Sequence, residues 1–587
     1  MKSAQFSCFL RVGSAAVLCA LLACDTKATD SLGPQPPVPP DMMPPDMMPP
    51  DTMPIDKTEA VFKEDELLKV EIEIDPSSWQ QLRSQRRDLI DVIEGEDCMD
   101  QPFSDPFTYF SGKVTVNGTA ISNVGLKKNG LFGLGTDLQP SLLINFEKYT
   151  TGQEYSGLKR MVLNRVGEDP SAISQCLSYY LYRKAGLIAP RCNFARISVN
   201  GENLGIYSHV DEISNRFLTS QEATKNGTLW KGTFSDFREG WTQTFEPLGQ
   251  TNSSTGSDKI NALTELLASN PTNLLNDLAT HLDVSNFITL WAMESLIWQW
   301  DGYTGNRNHF FLFESKDSKR LMILPEEVNT GFNLEHPFRA PQAPNAVFAQ
   351  GYLAYKIYSQ PEGREWYINT LKTLLDELWD ENALLDEVYR MERLIRDHVV
   401  RENFGDGVDR VRDFIRNRRG DLQSEIDMGG ANWLPELPRS ICRGPRGRVD
   451  GEFMTTWGTH PTENTFETGS GTMNLVYEQF NLPNLPAGAS AGMSEEDDFE
   501  GAVLVNVSVV PDRSGFPIVV FRTPMSRIKS GETIEIDRES TLGYYFYQPI
   551  RGELIYVGQL TNGSITLTEA GTSSSSAIVG RYDAEIF

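Results

Sequence analysis

The chain has 587 residues, with 80 Asp plus Glu against 53 Lys plus Arg, a formal net charge of −27 at pH 7. That length leaves room for two or three domains, and a composition that is 40% hydrophobic and 10% aromatic belongs to a globular protein, not a disordered one. The acidic excess argues against nucleic acid as a partner and predicts a soluble, self-repelling surface.

Lys2 and Arg11 lead into Val12–Ala23, an apolar run of small residues too short to span a bilayer, so residues 1–23 read as an export signal. The run ends Leu21-Leu22-Ala23-Cys24, which resembles a bacterial lipobox. The resemblance implies lipidation at Cys24 and a membrane anchor that holds the exported protein at the outer membrane or cell surface. Residues 24–57 contain PPDMMPPDMMPPDTMP. Dense proline forces extended backbone without an apolar face, which suits a semi-rigid tether.

A folded body is expected over 58–428. Leu68–Ile74 alternates as a strand, and Pro76–Gln85 reads as a helix with Trp79 and Leu82 on one face. Asn117-Gly118 joins Phe110–Val116 to Ala120–Lys127 as a hairpin. Lys128, Gly130, Gly133 and Gly135 follow in a glycine-rich turn of the kind that covers a nucleotide, with Gln139 at the start of the next strand. Asp169-Pro170 predicts a helix start, with Ile173, Leu177, Leu181 and Ala185 at helical spacing and Gly186 as its stop. Asn200-Gly201 links two further strands, Asn193–Val199 and Gly205–Val210. Asp211-Glu212 reads as a solvated pair, and residues 225–280 read as an insertion.

The central stretch is Trp291–Phe332: a Trp-rich helical run into Asp301, a Gly/Asn turn, then strands His309–Phe313 and Leu321–Pro325. Asp301 and Asn306 stand five apart, the Asp-x-x-x-x-Asn spacing of a kinase catalytic loop, where Asp orients the attacking hydroxyl and Asn helps hold metal. Trp300-Asp301-Gly302-Tyr303, Asn308-His309-Phe310-Phe311-Leu312-Phe313 and Pro325-Glu326-Glu327-Val328-Asn329 together resemble the CotH (spore coat protein H) kinase family. Its pattern is W-D-G-Y, then N-N-Y-Y-L-Y, then P-W-G-x-D or P-W-D-x-D. His309 replaces one Asn of that pattern, and Asn329 stands where its metal-binding Asp is due. Asn164 and Asp169-Pro170-Ser171 match the family's L-N…D-P-S run, whereas Asn129 and Gln139 fall where its lysines do. The resemblance implies an α+β, atypical protein-kinase-like two-lobed domain. It also implies Asp301 as catalytic residue, Asn306, Asn308, Asn329 and Glu327 as metal candidates, and ATP with Mg²⁺ or Mn²⁺ as cofactor.

Helical stripes at Leu371–Leu378 and Leu385–Ile395 lead to a basic run, Arg410–Arg419, expected as an exposed helix face. Residues 429–497 read as linker and irregular segment; the Gly488-Ala489-Ser490-Ala491-Gly492 inside it lacks the strand–helix context of a nucleophile elbow. From 498 to 587, short strands at regular spacing predict an all-β, sandwich-like domain. Cys98, Cys176, Cys192 and Cys442 allow three pairings in an exported protein, and no His pair has zinc spacing. Three functions remain open: an active protein Ser/Thr kinase, a degenerate kinase fold that binds or scaffolds an envelope or coat protein, and a structural coat component.

Overall fold

The computed structural model describes residues 56–587 apart from 86, 88–91, 96, 104, 131–138, 166, 168, 222–226, 249–252, 316–317, 335–342, 402, 460–464, 479, 495–500, 511–513, 537–539 and 552–553. The signal, most of the tether, Cys24, Gly133 and Gly135 lie outside the described residues.

Seven strands close into a first barrel: β1 (Leu68–Ile74), β2 (Phe110–Val116), β3 (Thr119–Lys128), β4 (Leu142–Asn145), β5 (Arg160–Asn164), β6 (Cys192–Val199) and β7 (Glu202–Val210). Their order is β1-β2-β3-β4-β5-β7-β6, and the barrel shuts where β6 pairs in parallel with β1. Both Asn-Gly turns carry the consecutive positive φ angles that two-residue hairpins need: Asn117 46° and Gly118 85°, Asn200 51° and Gly201 86°. Helix α1 (Pro76–Ser84) starts on Asp75, whose side chain accepts from Ser78 N, and buries Trp79 and Leu82. Helix α2 (Ser174–Lys184) begins four residues later than Pro170 suggests. Ala172 is left-handed (φ 57°), so Asp169-Pro170-Ser171 forms a turn, yet Asp169 still caps by accepting from Ser174 N at 2.8 Å.

The expected insertion is part of the body. Strands β8 (Gly227–Gly232) and β9 (Glu246–Leu248) join β10 (Phe310–Ser315) and β11 (Leu321–Pro325) in a sheet of order β11-β10-β8-β9. Helix α3 (Ser253–Ser269) puts Leu263 and Leu267 into the same core. Helix α4 (Val284–Ile297) buries Phe287, Ile288 and every residue from Leu290 to Ile297, so the other elements pack all round its C-terminal half. Arg418, on the long helix Phe404–Asp427, is also not at the surface. It is fully buried and donates to Leu296 O (2.9 Å) and Ser295 O (2.6 Å), satisfying carbonyls at the C-terminal end of α4. Asp211 is likewise buried, where it bridges Arg191 and Arg216. Leaving either charge exposed was the wrong expectation, because each has partners distant in sequence.

The largest departure lies after Met428. Residues expected as linker form β12 (Gly447–Thr456), β13 (Gly469–Tyr477) and β14 (Phe480–Met493). They continue through β15 (Ala502–Ser508), β16 (Gly515–Thr523), β17 (Thr533–Glu535), β18 (Leu542–Pro549), β19 (Ile555–Glu569) and β20 (Ala577–Ile586) into one sheet. An added β19–β20 pairing closes that sheet on itself, with β17 as an outer strand on β19. The C-terminal part is therefore all-β, as expected, but closed instead of a sandwich. Gly488–Gly492 is strand in β14, with Ser490 buried, so the nucleophile-elbow geometry is absent there.

Disulfides join Cys176 to Cys192 and Cys98 to Cys442. The second spans 344 positions and sits in a small core with Ile93, Phe234, Trp241, Ile441 and the terminal Phe587. Replacing both Cys98 and Cys442 by Ser should therefore cost about 2–5 kcal/mol in unfolding experiments. An unchanged midpoint under oxidising conditions would show that the packing alone holds the junction. Limited proteolysis should spare β12, β13 and β14 in the native protein; early cleavage inside any of these strands would contradict their pairing into the barrel.

Candidate functional site

The site forms where α4 stops. Trp298 turns left-handed (φ 60°), and the chain runs through Asp301 into a single helical turn, α5 (Tyr303–Asn306), then Arg307, Asn308, His309 and β10. Two glycines are required by close approach. A Cβ on Gly302 would lie 2.3 Å from Glu294 Oε1, and one on Gly305 2.1 Å from Trp300 O. Non-glycine left-handed residues cluster here: Trp298, Arg307 (57°), His309 (49°), Glu327 (41°) and Phe332 (62°). Such backbone persists where its surroundings over-determine it, and it concentrates at functional sites.

Asp301 is mostly buried, its side chain 16% exposed. Its Oδ1 accepts from Asn306 Nδ2 at 2.6 Å and from Asn308 Nδ2 at 3.4 Å. His309 Nε2 lies 3.2 Å from its Oδ2, and His309 Nδ1 lies 3.4 Å from Glu327 Oε2. Burial opposes charge on the His309 ring, but Asp301 and Glu327, with Glu326 behind them, outweigh it and hold the imidazole up at about 9. Burial pushes the Glu327 carboxyl up while His309 pulls it down. Glu326 pairs with Lys231 of β8 at 2.8 Å, and that partner outweighs burial and raises the lysine.

Beneath the turn, Glu294 of α4 is buried. Its Oε1 accepts from Tyr303 N (3.1 Å), and its Oε2 from Thr304 N (2.9 Å) and from the Thr304 hydroxyl. Burial pushes this carboxyl up to about 7, against the pull of those donors and with a further push from Asp301. On the other flank Asp236 is fully buried and accepts from Tyr303 Oη (2.9 Å) and Tyr352 N (2.9 Å). Arg307 stacks over Trp241 at 4.9 Å, and burial lowers its guanidinium to about 10.

Asp301, Asn306, Asn308 and Glu327 thus come together, with His309 in their midst. Asn329 follows with its N–H on Glu327 O (2.8 Å), and among the described residues its side chain makes no hydrogen bond to Asp301, Asn306 or Asn308. Lys128 has a different use from the expected nucleotide contact: it is buried and donates to Arg83 O (3.0 Å) and Gln85 O (2.6 Å) at the end of α1. Gly130 is left-handed (φ 112°), and Gln139 is half-buried at the approach to β4. Among the described residues no group of three or more His, Cys, Asp or Glu is placed to hold a metal ion. With both Asp301 oxygens engaged and a neutral amide at Asn329, these residues do not fit a divalent cation as they stand. The sequence reading missed His309, Glu294, Lys231 and Asp236. Only Glu294 leaves a signal, as the one charge in the otherwise uncharged α4.

Residues 136–422 match the family model described as CotH kinase protein. Inner spore coat protein H of Bacillus subtilis is 22% identical over 303 residues, 47% of this chain and 80% of that protein. Invasin CotH7 of Rhizopus delemar is 22% identical over 47% of this chain, and spore coat protein homolog 1 of the same fungus 23% over 47%. The chain spans about half the length of these two fungal relatives, 49% and 47%. A solved structure described as the Helicobacter pylori proinflammatory kinase CtkA overlaps 49% of this chain and 92% of that one, at 11% identity and a TM-score of 0.21, too low to carry an argument.

Glu294 generates a prediction with a definite sign. Its carboxyl is raised in the folded state from an ordinary 4.5 to about 7. Across that window the unfolded chain releases a proton that the folded chain keeps, so stability falls as pH rises. Glu294→Gln removes this term, so its stability relative to wild type should climb by about 3 kcal/mol between the two limits, read from denaturant midpoints at stepped pH. A flat difference would mean that Glu294 ionises as it does in water.

Proposed function

We propose, from the match of residues 136–422 to the CotH kinase protein family model, that the chain is an exported, envelope-associated kinase-fold protein in which metal-dependent phosphoryl transfer from ATP is weak or absent. Its function is then to bind or scaffold a protein partner of the envelope or coat. One observation carries this reading: the Asp301 carboxylate is held on both oxygens, by Asn306 and Asn308 on one and His309 on the other. Phosphoryl transfer depends on cations that neutralise developing charge, and the chain offers a neutral Asn329 and a Lys128 already bonded to α1 carbonyls. The names of the relatives, a spore coat protein and an invasin, support a location in an outer layer.

A second reading, an active atypical kinase for protein Ser/Thr, is favoured by the Asn306–Asp301 contact at 2.6 Å. In it Asp301 accepts a hydrogen bond from the attacking hydroxyl and orients it, Asn306 fixes the carboxylate, and Glu326 or Glu327 supplies the acid that Asn329 lacks. ATP with Mg²⁺ or Mn²⁺ would supply the transferred group and its charge compensation.

Calorimetry of ATP with and without Mg²⁺ or Mn²⁺ separates the two. Wild type should bind ATP weakly and without metal dependence, and Asn329→Asp should strengthen binding. Tight metal-dependent binding with phosphoryl transfer, both lost in Asp301→Ala, would establish the active kinase instead. The anchor is tested separately. Wild type should fractionate with membranes and Cys24→Ser should release it, stable anchoring requiring more than one acyl chain. Recovery of unmodified wild type in the soluble envelope fraction would remove the lipid anchor from the reading.

A further inference from the structure

Two backbone kinks aim His309 and Glu327 at one place. His309 O accepts from Glu326 N at 3.0 Å, so the β10–β11 ladder closes there. The chain is left-handed at both His309 and Glu327, neither of them glycine. The result is an imidazole set between two carboxylates that approach its two nitrogens, Asp301 at 3.2 Å and Glu327 at 3.4 Å.

We propose that the His309 ring, set between Asp301 and Glu327, fills the space that a divalent metal would need between those carboxylates, so that the site excludes Mg²⁺ and Mn²⁺ while the ring is in place. The inference rests on the weak-metal reading above and gives its physical cause. A divalent ion needs the oxygens that the ring now faces, at 3.2 Å on Asp301 and 3.4 Å on Glu327, and it would have to displace the ring to reach both.

The test uses the full chain and Mn²⁺ alone, with no nucleotide, followed by calorimetry and thermal shift. Wild type should show no saturable binding and no Mn²⁺-dependent rise in Tm. His309→Asn should bind Mn²⁺ more tightly, by about tenfold or more, and its Tm should rise with the metal. Asp301→Asn in that background should erase the gain. Equal Mn²⁺ affinity in wild type and His309→Asn overturns the inference, as does a folded His309→Asn that gains none. The unaltered protein gives an independent measurement should the variant fail to fold. Substoichiometric Mn²⁺ should leave the His309 ring resonances sharp, and paramagnetic broadening there overturns the proposal. Since ATP is absent throughout, tight Mn²⁺–ATP binding in wild type would defeat the proposed function while leaving this inference to the metal-only result.

Discussion

The buried carboxylate of Glu294 is the interaction on which the Asp301 turn depends. A helix as apolar as α4 can lie in the middle of a core, but its C-terminal end must release the chain into a polar turn without leaving backbone donors unpaired. Glu294 meets that need by accepting from Tyr303 N and Thr304 N, two donors of the next helical turn. The carbonyls of the same end are met by Arg418, which donates to Ser295 O and Leu296 O. One buried acid and one buried base thus serve the two kinds of orphan group at a single helix end. Each bonds backbone groups of that helix end, Glu294 the N–H groups of Tyr303 and Thr304 and Arg418 the carbonyls of Ser295 and Leu296. Such groups are costly to bury and costly to leave half-satisfied, which explains why Gly302 has no room for a side chain.

Charge at the site is balanced internally. Asp301, Glu326 and Glu327 would repel one another at a mostly buried site, and the chain answers with His309 between two of them and Lys231 on the third. This compensation ties the turn after α4, the end of β11 and the C-terminal end of β8 together electrostatically. It also makes β8, from the segment expected to be an insertion, indispensable to the site. A family pattern is concerned with which residues hold metal and nucleotide; here several of the corresponding positions are bonded within the fold.

What the sequence disclosed was local. Asn-Gly turns marked both hairpins of the first barrel because two consecutive left-handed residues suffice to define them. The Asp301–Asn306 contact was legible because a single helical turn brings those positions together. His309 was not, since its role needs two kinks on separate strands that no spacing reveals. Residues 447–493 were misread for a different reason: Gly, Ala and Pro in β14 have poor strand propensity. Their small size is a packing requirement, as a Cβ on Gly488 would lie 2.5 Å from Phe466 N, so tertiary pairing overrides local preference there.

The same contacts join the C-terminal barrel to the site. Phe587, the last residue of the chain, packs in one small core with Trp241, Ile441 and the Cys98–Cys442 bond. Trp241 donates to Arg439 O at 2.7 Å and carries Arg238 and Arg307 against its ring, at 4.2 Å and 4.9 Å. Arg307 sits between Asn306 and Asn308, the two residues whose amides hold Asp301. Its carbonyl also accepts from Ser235 N at 3.0 Å, next to the Asp236 that receives the Tyr303 hydroxyl. A rigid aromatic stack therefore lies between the junction and the Asp301 turn, with contacts on both sides. The expectation of a body and a sandwich-like domain separated by a linker and irregular segment does not survive this geometry. Phe587, just past β20, brings the end of that barrel into the core that holds Trp241, the ring on which Arg307 stacks.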